Sequence, residues 1–352
     1  MIKIDCCGFP VALYGFSTCW NIRRTNSIKA ALEEIHSLGF DIIELNGLSD
    51  VQCEEFLHAS DGFNAFKIAS IHNPCPKPKE ERDRPIFNDN YFREAIDLVT
   101  KDPLLREKSI LLTQKTIDFA QAIAAQVVII HLGIVEVGYV PGQMRRWVIG
   151  HGLGTEVYFA HINPLLEKRR EKKEDFWPEL IDSLQRLDKY ASAKRIKLGI
   201  ENRSVFLQVP NLEELKSIFS QFGPQSSLGY WHDIGHAQLQ DYLLIQSHEG
   251  LLQELKPRLL GVHIHDAAIN PLNPDQELDI MALGQEEYVS YLESGRLSPM
   301  LKDHLAPSFG QVDYAMIKKY LEPTTLRIME LRPSVSRDNI LKGVNFLRSI
   351  NF

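Results

Sequence analysis

Short apolar runs recur along the chain, and most of them end at an acidic or histidine residue. Residues 198–200 lead into Glu201, and residues 127–130 lead into His131. Longer stretches with apolar positions at helical spacing lie between these runs. Apolar runs of this length between helices are typical of buried parallel strands. The pattern therefore predicts strands and helices that alternate from one end of the chain to the other.

Eight strand and helix units can be placed in this way. The predicted strands cover 12–17 and 41–45, and six more end at 72, 131, 201, 233, 263 and 330. The predicted helices cover 27–36, 51–58, 105–124, 176–193, 212–222, 251–255, 314–321 and 337–349. We expect an α/β fold, a (β/α)8 TIM barrel, forming a single domain over residues 1–352. An open, doubly wound sheet is less favoured, because a closed barrel brings together candidate ligands from many strands.

Three predicted connections are longer than usual loops, at 73–103, 133–175 and 267–311. Each follows a strand end that carries candidate ligands. Long loops on that face usually shape a substrate pocket, and packing against a partner subunit is the alternative that stays open. The charged run 167–175 mixes both signs, which predicts a solvated helix rather than a nucleic-acid patch.

Composition narrows the class of protein. The 352 residues include 44% hydrophobic and 24% charged residues, which are ordinary values for a globular protein. A net charge of −7 argues against nucleic acid as a partner, and no apolar stretch is long enough to cross a membrane. Five cysteines without a regular framework predict reduced thiols and a cytoplasmic location. A small-molecule substrate is the expected partner, and assembly into a homo-oligomer stays open.

The strongest candidate site consists of Glu201, Asp233, His263 and Glu330, which lie at four different strand ends. Side chains at the C-terminal ends of barrel strands converge on the face where such enzymes place their chemistry. Three carboxylates and one imidazole suit Mn²⁺, Mg²⁺, Co²⁺ or Zn²⁺ as a divalent cofactor. Each residue alone also fits a structural role, but four such groups at strand ends favour a metal site.

Further histidines extend this candidate site, namely His72, His131, His236 and His304. We treat all four as candidate metal ligands and His236 also as a candidate catalytic residue. Asp233 and His236 are three residues apart, so a turn would let both face one site. His232 is expected to point to the opposite face of its strand. His265 shares a face with His263, and Asp266 is a candidate to orient a ligand histidine.

These motifs resemble a known family. Glu201-Asn-Arg, Asp233-Ile-Gly-His236, His263-Ile-His-Asp, the run from His304 to Asp313 and Glu330 are similar to the xylose isomerase-like TIM-barrel superfamily. That superfamily includes sugar isomerases and epimerases and the endonuclease IV-type AP endonucleases of AP endonuclease family 2. The resemblance covers most of the chain.

Two branches of the superfamily imply different sites. By resemblance to ketose 3-epimerases, one metal would bind Glu201, Asp233, His263 and Glu330, and the two glutamates would exchange a proton with the substrate carbon. By resemblance to endonuclease IV, three zinc ions would also use His72, His131, His236 and His304. That branch has an Asp two residues before the last histidine, where this chain has Lys302, with Asp303 one residue late. The departure argues against a complete three-metal site.

The resemblance thus implies a divalent-metal-dependent isomerase or epimerase acting on a sugar, a sugar phosphate or a polyol-like molecule. The metal would polarise the substrate carbonyl, and Glu201 and Glu330 would act as general base and acid. Arg203 and Arg332 are candidates for binding substrate oxygens, with pairing to a neighbouring acid as the alternative. A metal-dependent phosphodiesterase on abasic DNA is the alternative function. The third hypothesis is a catalytically silent barrel that binds a metabolite.

Overall fold

The structure is a computed structural model, and it describes most of the chain. The described residues are 13–25, 27–58, 63, 65–79, 95–138, 143–269 and 301–352. Residue 12 of the first predicted strand, Cys6, Cys7 and parts of the loops 73–103, 133–175 and 267–311 lie outside them. The three cysteines in the described part, Cys19, Cys53 and Cys75, are free thiols. No helix in that part combines the length and apolar character needed to cross a bilayer.

Eight parallel strands close into a barrel, which confirms the predicted TIM barrel. They are β1 (Leu13–Ser17), β2 (Ile42–Leu45), β3 (Lys67–His72), β4 (Val127–Ile130), β6 (Lys197–Glu201), β8 (Leu228–Asp233), β9 (Leu259–Ile264) and β12 (Leu326–Met329). Around the barrel, each strand neighbours the next barrel strand in the chain, and β12 closes onto β1. Four short strands form two antiparallel pairs outside it: β5 (Gly133–Ile134) with β7 (Gln208–Val209), and β10 (Asp266–Ile269) with β11 (Leu301–Leu305).

Helices connect these strands. They are α1 (Ile22–Thr25), α2 (Ile28–His36), α3 (Asp50–His58), α4 (Pro103–Ala122), α5 (Gln143–His151), α6 (Glu156–Glu171), α7 (Lys173–Lys194), α8 (Leu212–Gln221), α9 (Ile234–Tyr242), α10 (His248–Leu255), α11 (Tyr314–Lys318) and α12 (Arg337–Ser349). Where a boundary differs from its prediction, capping explains it in several cases. Helix α4 begins earlier than predicted because Asp102 caps it, with Pro103 in its first turn.

The structure corrects three sequence-based expectations. The connection 133–175 is not an open loop, since it contains helices α5 and α6. The predicted turn after Asp233 is the first turn of helix α9. The charged run 167–175 is only partly solvated, because Arg169 is buried and forms an ion pair with the buried Glu214. Its guanidinium also donates to the carbonyl of Phe206, so it connects α6 to the segment that follows β6.

The interior of the barrel carries a small apolar cluster below the strand ends. Its buried members are Ala69, Val127, Ile129, Trp231, Leu326 and Ile328. Trp231 fills the centre, and a Cβ at Gly261 would lie 2.5 Å from its ring. A side chain at that position would therefore displace the indole. The ring of Trp231 lies 5.3 Å from the ring of His263, centroid to centroid, so this cluster forms the floor of the site above it.

Candidate functional site

All eight sequence-predicted metal residues meet at the C-terminal end of the barrel. Potential ligand atoms within 4.8 Å of one another define three groups in the described residues: a central group of Glu201, Asp233, His263 and Glu330, a first flanking group of His72, His131 and Glu201, and a second flanking group of Asp233, His236, His265 and His304. Glu201 and Asp233 each belong to two groups, so the three form one continuous cluster. Six of the eight residues lie at the ends of barrel strands, which all end on this face, whereas His236 lies in the first turn of α9 and His304 on β11.

In the central group, three carboxylates surround one nitrogen of His263. Nδ1 of His263 lies 2.7 Å from Oε1 of Glu201, 3.1 Å from Oε2 of Glu330 and 3.5 Å from Oδ2 of Asp233. All four side chains are buried. Three buried carboxylates around one nitrogen need positive charge beside them, which either a protonated His263 or a bound metal can supply. The donor set and its convergence therefore fit a divalent metal bound by oxygen and one imidazole nitrogen.

The other nitrogen of His263 is held by a residue that sequence reasoning missed. Nε2 of His263 lies 3.0 Å from Oε2 of Glu44, and the Ser70 hydroxyl donates to that same oxygen at 2.8 Å. A carboxylate behind a metal-binding histidine fixes its ring and tautomer. The sequence does carry a signal, since Glu44 is a charged residue inside the apolar strand β2. The strand-end pattern does not mark Glu44, because this residue lies within an apolar run and does not follow one.

The charges of the central group depend on each other. Burial alone would raise the pKa of Glu201, but Arg203 and His131 hold it well below its usual range. Burial opposes the charged form of His263, yet the Glu330 and Glu44 carboxylates raise its pKa well above the ordinary value. Asp233 stays ionised in spite of its burial, because His236 and His265 lower its pKa. The group is thus an anionic pocket that attracts positive charge.

The first flanking group already contains a cation. Nη1 of Arg203 donates to Oε2 of Glu201, and it lies 2.6 Å from Nε2 of His131. Nε2 of His131 lies 2.5 Å from the same Glu201 oxygen. His72 lies further out, with its Nε2 3.9 Å from Glu201, and burial together with His131 lowers its pKa to about 3. The guanidinium therefore occupies the space in which a metal bound to Glu201 and His131 would lie.

The second flanking group contains a histidine that donates a hydrogen bond rather than an electron pair. Nδ1 of His265 accepts from the main-chain N–H of His304 at 2.8 Å, which assigns the proton to Nε2. That nitrogen lies 2.8 Å from Oδ1 of Asp233. His265 is therefore a positioning residue for Asp233. A Cβ at Gly235 would lie only 2.0 Å from the His265 ring, so this packing requires the glycine.

His236 and His304 differ in protonation. Nδ1 of His236 lies 3.2 Å from the carbonyl of Asn202, and donation there leaves Nε2 with its electron pair. Burial lowers the pKa of His236 to about 4, so this ring is neutral. Burial opposes the charge on His304, but Asp303 and Glu330 raise its pKa to about 9. His304 is thus a cation 3.6 Å from Oε2 of Glu330.

The two arginines predicted to bind substrate both pair with acids. Arg332 forms an ion pair with Asp303, whose carboxylate also lies 3.1 Å from Nδ1 of His304. Arg203 pairs with Glu201 as described above. The structure therefore places both arginines at the site, in the arrangement that the sequence left as the alternative. The Asp303 carboxylate is therefore paired with two cations, Arg332 and His304.

Two polar residues near the site organise its main chain. Asn202 accepts the N–H of Asp233 at 2.8 Å and donates to the Asp233 carbonyl at 2.9 Å, which fixes that strand end. Asp266 accepts the main-chain N–H groups of Ala267 and Val312. The Asp266 carboxylate therefore holds the loop that follows β11. This contact differs from the expected role, in which Asp266 would orient a ligand histidine. His232 contacts Tyr230 and His248 instead of the metal groups, in agreement with its predicted outward direction.

A family comparison matches this architecture. The model of the xylose isomerase-like TIM barrel family matches residues 32–350. The chain belongs to this family. The match covers the strand ends that carry the site, from β2 to β12. No curated protein sequence shows significant similarity to the chain.

Solved structures of similar fold include several sugar epimerases. A D-tagatose 3-epimerase-like protein has a TM-score of 0.57 and 16% identity, over 96% of this chain and 97% of the other. D-allulose 3-epimerase from Methylomonas sp., in complex with D-allulose, has a TM-score of 0.56 and 14% identity, over 99% of both chains. The IOLI protein with a bound zinc atom has a TM-score of 0.57 and 12% identity, over 96% of this chain and 97% of the other. At these identities, the likeness shows the shared fold.

Proposed function

We propose that the protein is a sugar isomerase or epimerase that uses one divalent metal. The observation that carries the proposal is the central group, in which three buried carboxylates converge on Nδ1 of His263. The epimerase function of several structural neighbours supports it. A zinc atom in one neighbour supports a divalent metal. The free thiols of the described part agree with a cytoplasmic location, which remains part of the proposal.

Glu201 and Glu330 are the proposed proton carriers. A metal in the central group would polarise a substrate carbonyl and lower the pKa of the neighbouring C–H. One glutamate would then remove that proton as a carboxylate and later lose it to solvent. The other would return a proton to the opposite face or to the adjacent carbon, after taking that proton from solvent or, in the case of Glu330, from the His304 imidazolium 3.6 Å away. Asn46 donates to Oε1 of Glu330 at 2.9 Å and so keeps its carboxylate oriented. His236, with its Nε2 electron pair available, is proposed to accept a hydrogen bond from a substrate hydroxyl.

Proton exchange at carbon tests this function without knowledge of the true substrate. We expect the metal-loaded protein to exchange a C–H proton of a ketose for deuterium from the solvent, followed by NMR over a panel of ketoses and their phosphates. Exchange should stop on chelation and return with Mn²⁺, Co²⁺ or Mg²⁺. If no ketose, aldose or sugar phosphate in the panel exchanges with any of these metals, the proposed function is wrong.

A phosphodiesterase acting on abasic DNA is the second candidate function. The continuity of the three ligand groups favours it, because several adjacent metals can activate water and stabilise a leaving oxygen. Two contacts oppose it. Arg203 fills the first flanking group, and Nε2 of His265 donates a hydrogen bond in the second. These contacts leave the central group as the most complete site for a metal.

The number of bound metals separates the two functions. We expect about one metal per chain in the wild type, by elemental analysis, and a second one in Arg203→Ala, since removal of the guanidinium frees Glu201 and His131 to bind a metal. Lys173→Ala is the control, because Lys173 lies on helix α7 and bonds Ser217, away from all three groups. Two or three zinc ions in the wild type would contradict this prediction and favour phosphodiester hydrolysis.

A further inference from the structure

A chain of buried hydrogen bonds runs from the metal site to helix α10 outside the barrel. Asp233 faces the site at the end of β8, whereas Tyr230 and His232 point to the opposite face of that strand. The Tyr230 hydroxyl donates to Oδ1 of Asn202 at 2.9 Å and lies 2.7 Å from Nδ1 of His232. Nε2 of His232 lies 3.0 Å from Nε2 of His248, the first residue of α10. All of these side chains are buried, and the proposed proton transfer uses none of the outer ones.

Asn202 joins this chain to the metal site. Its Oδ1 accepts both the main-chain N–H of Asp233, at 2.8 Å, and the Tyr230 hydroxyl. Its Nδ2 donates to the main-chain carbonyl of Asp233 at 2.9 Å. The main-chain carbonyl of Asn202 also lies 3.2 Å from Nδ1 of His236. The Asn202 amide therefore fixes the main chain of a proposed metal ligand, and the Tyr230 hydroxyl holds that amide from the outer side.

The direction of the hydrogen bonds follows from Asn202. Because Oδ1 of Asn202 accepts the single proton of the Tyr230 hydroxyl, Nδ1–H of His232 donates to the Tyr230 oxygen. Burial lowers the pKa of His232 well below its ordinary value and that of His248 to about 4, so both rings are neutral. Nε2 of His232 then accepts from Nε2–H of His248. Nδ1 of His248 lies 3.0 Å from the side-chain amide of Gln238, and this direction requires that amide to present its NH₂ group.

We propose that Tyr230 is a positioning residue for the metal ligand Asp233 and acts on it through Asn202. His232 and His248 hold the Tyr230 hydroxyl in place from the outer side. The inference rests on the metal site of the proposed function, although none of the three outer side chains is a proposed metal ligand. Without the phenol oxygen, the Asn202 amide can turn, and the main chain that carries Asp233 loses its fixed direction. Residues that orient metal ligands contribute to metal affinity in this way.

Metal affinity and the visible spectrum of the Co²⁺-loaded chain test this role without turnover. We expect Tyr230→Phe to bind Co²⁺ about tenfold more weakly, the lower end of the usual cost of losing an orienting partner. Its d–d absorption bands should change as well, because they report the ligand geometry. Tyr158→Phe is the matched control, since it also loses one buried hydroxyl, which donates to the main-chain carbonyl of Leu243. Both variants should lose thermal stability, and only Tyr230→Phe should change the affinity and the spectrum.

Further variants test the path from α10 to the metal site. In an Asn202→Ala background, Tyr230→Phe should cause no further loss of Co²⁺ affinity, because the hydroxyl acts through that amide. His248→Gln keeps an N–H donor near the position of Nε2, so it should bind Co²⁺ as the wild type does. His248→Leu removes that donor and should bind Co²⁺ more weakly, by a smaller factor than Tyr230→Phe.

The outcomes separate this proposal from the proposed function. Wild-type Co²⁺ affinity and spectrum in Tyr230→Phe, with stability lowered as in Tyr158→Phe, would overturn the positioning role and leave the chain a role in stability. If Tyr230→Phe does not fold, equal Co²⁺ affinity of the two His248 variants overturns the role, and a loss confined to His248→Leu supports it. A Co²⁺ affinity that depends on Tyr230, in a protein that exchanges no C–H proton, keeps the positioning role and contradicts the isomerase function. C–H exchange by a protein whose metal affinity does not depend on Tyr230 does the reverse.

Discussion

Glu330→Gln is expected to lower the rate of C–H exchange by about 10²–10⁴-fold, the usual contribution of a general acid or base. The carboxamide has nearly the same shape as the carboxylate, and it can still accept the hydrogen bond that Asn46 donates to Oε1. It cannot take up a proton from carbon at neutral pH. The variant should therefore fold as the wild type does, with the same thermal midpoint within a few degrees, and lose turnover.

The measurement must separate lost proton transfer from lost metal. Glu330 also faces Nδ1 of His263 in the central group, so the variant is assayed at saturating metal, and its metal content is measured in parallel. Glu213→Gln is the matched control, because Glu213 is an exposed glutamate on helix α8. Wild-type exchange by a Glu330→Gln protein with normal metal content would remove Glu330 from the proposed mechanism.

The strand ends of this barrel could be predicted because two features coincide there: an apolar run ends, and a polar residue that can bind a metal follows it. Strand β4 is buried along its whole length and appears as an uninterrupted apolar run, which His131 directly follows. Strand β8 is also buried throughout, and its residues 228–231 lead into His232 and Asp233 at its end. The closed barrel then brings those ends together. For this reason Glu201, Asp233, His263 and Glu330 could be grouped from sequence although they are far apart in the chain.

Residues that support the site were harder to predict because their role depends on a partner. Glu44 lies inside an apolar strand, and its function appears only when Nε2 of His263 is found beside it. His265 looks like a ligand from its spacing, and only the main-chain N–H of His304 assigns its proton. The sequence pattern does not indicate helix α9, because its N-cap Asp233 and the residues Gly235 and His236 of its first turn are also typical of a turn. The last residues of α9 show little apolar periodicity at helical spacing, so they do not indicate a helix either.

The roles of the two arginines could not be predicted for the same reason, because they depend on which acid lies beside each guanidinium. Sequence alone allowed Arg203 to bind either substrate or a neighbouring acid. The structure shows that the acid is Glu201 itself, one of the proposed metal ligands. An arginine in that position lowers the pKa of the glutamate and fills the first flanking group at the same time. The position of Arg203 thus favours one bound metal over several, and the spacing of residues in the sequence does not show this effect.

Glu44→Gln is expected to weaken metal binding about 10–100-fold, which is the usual cost of losing a residue that orients a metal-binding histidine. Glu44 accepts from Nε2 of His263, and when a metal replaces the proton on Nδ1, that bond would keep the Nδ1 electron pair directed at the space among the three carboxylates. A neutral amide accepts a weaker hydrogen bond and can turn its NH₂ group toward the ring. The ring of His263 then loses its fixed orientation, and the anionic charge behind it is gone.

Metal titration and kinetics together identify this role. If Glu44 acts by positioning, the variant should recover most of its turnover at saturating metal, while its metal affinity stays low. Ser70→Ala, which removes only the hydroxyl that donates to Glu44, should show a smaller loss of affinity in the same direction. Glu33→Gln, at an exposed position on helix α2, should bind metal as the wild type does. Unchanged metal affinity in a folded Glu44→Gln protein would mean that His263 does not need this carboxylate, and that its buried charge serves the stability of the barrel instead.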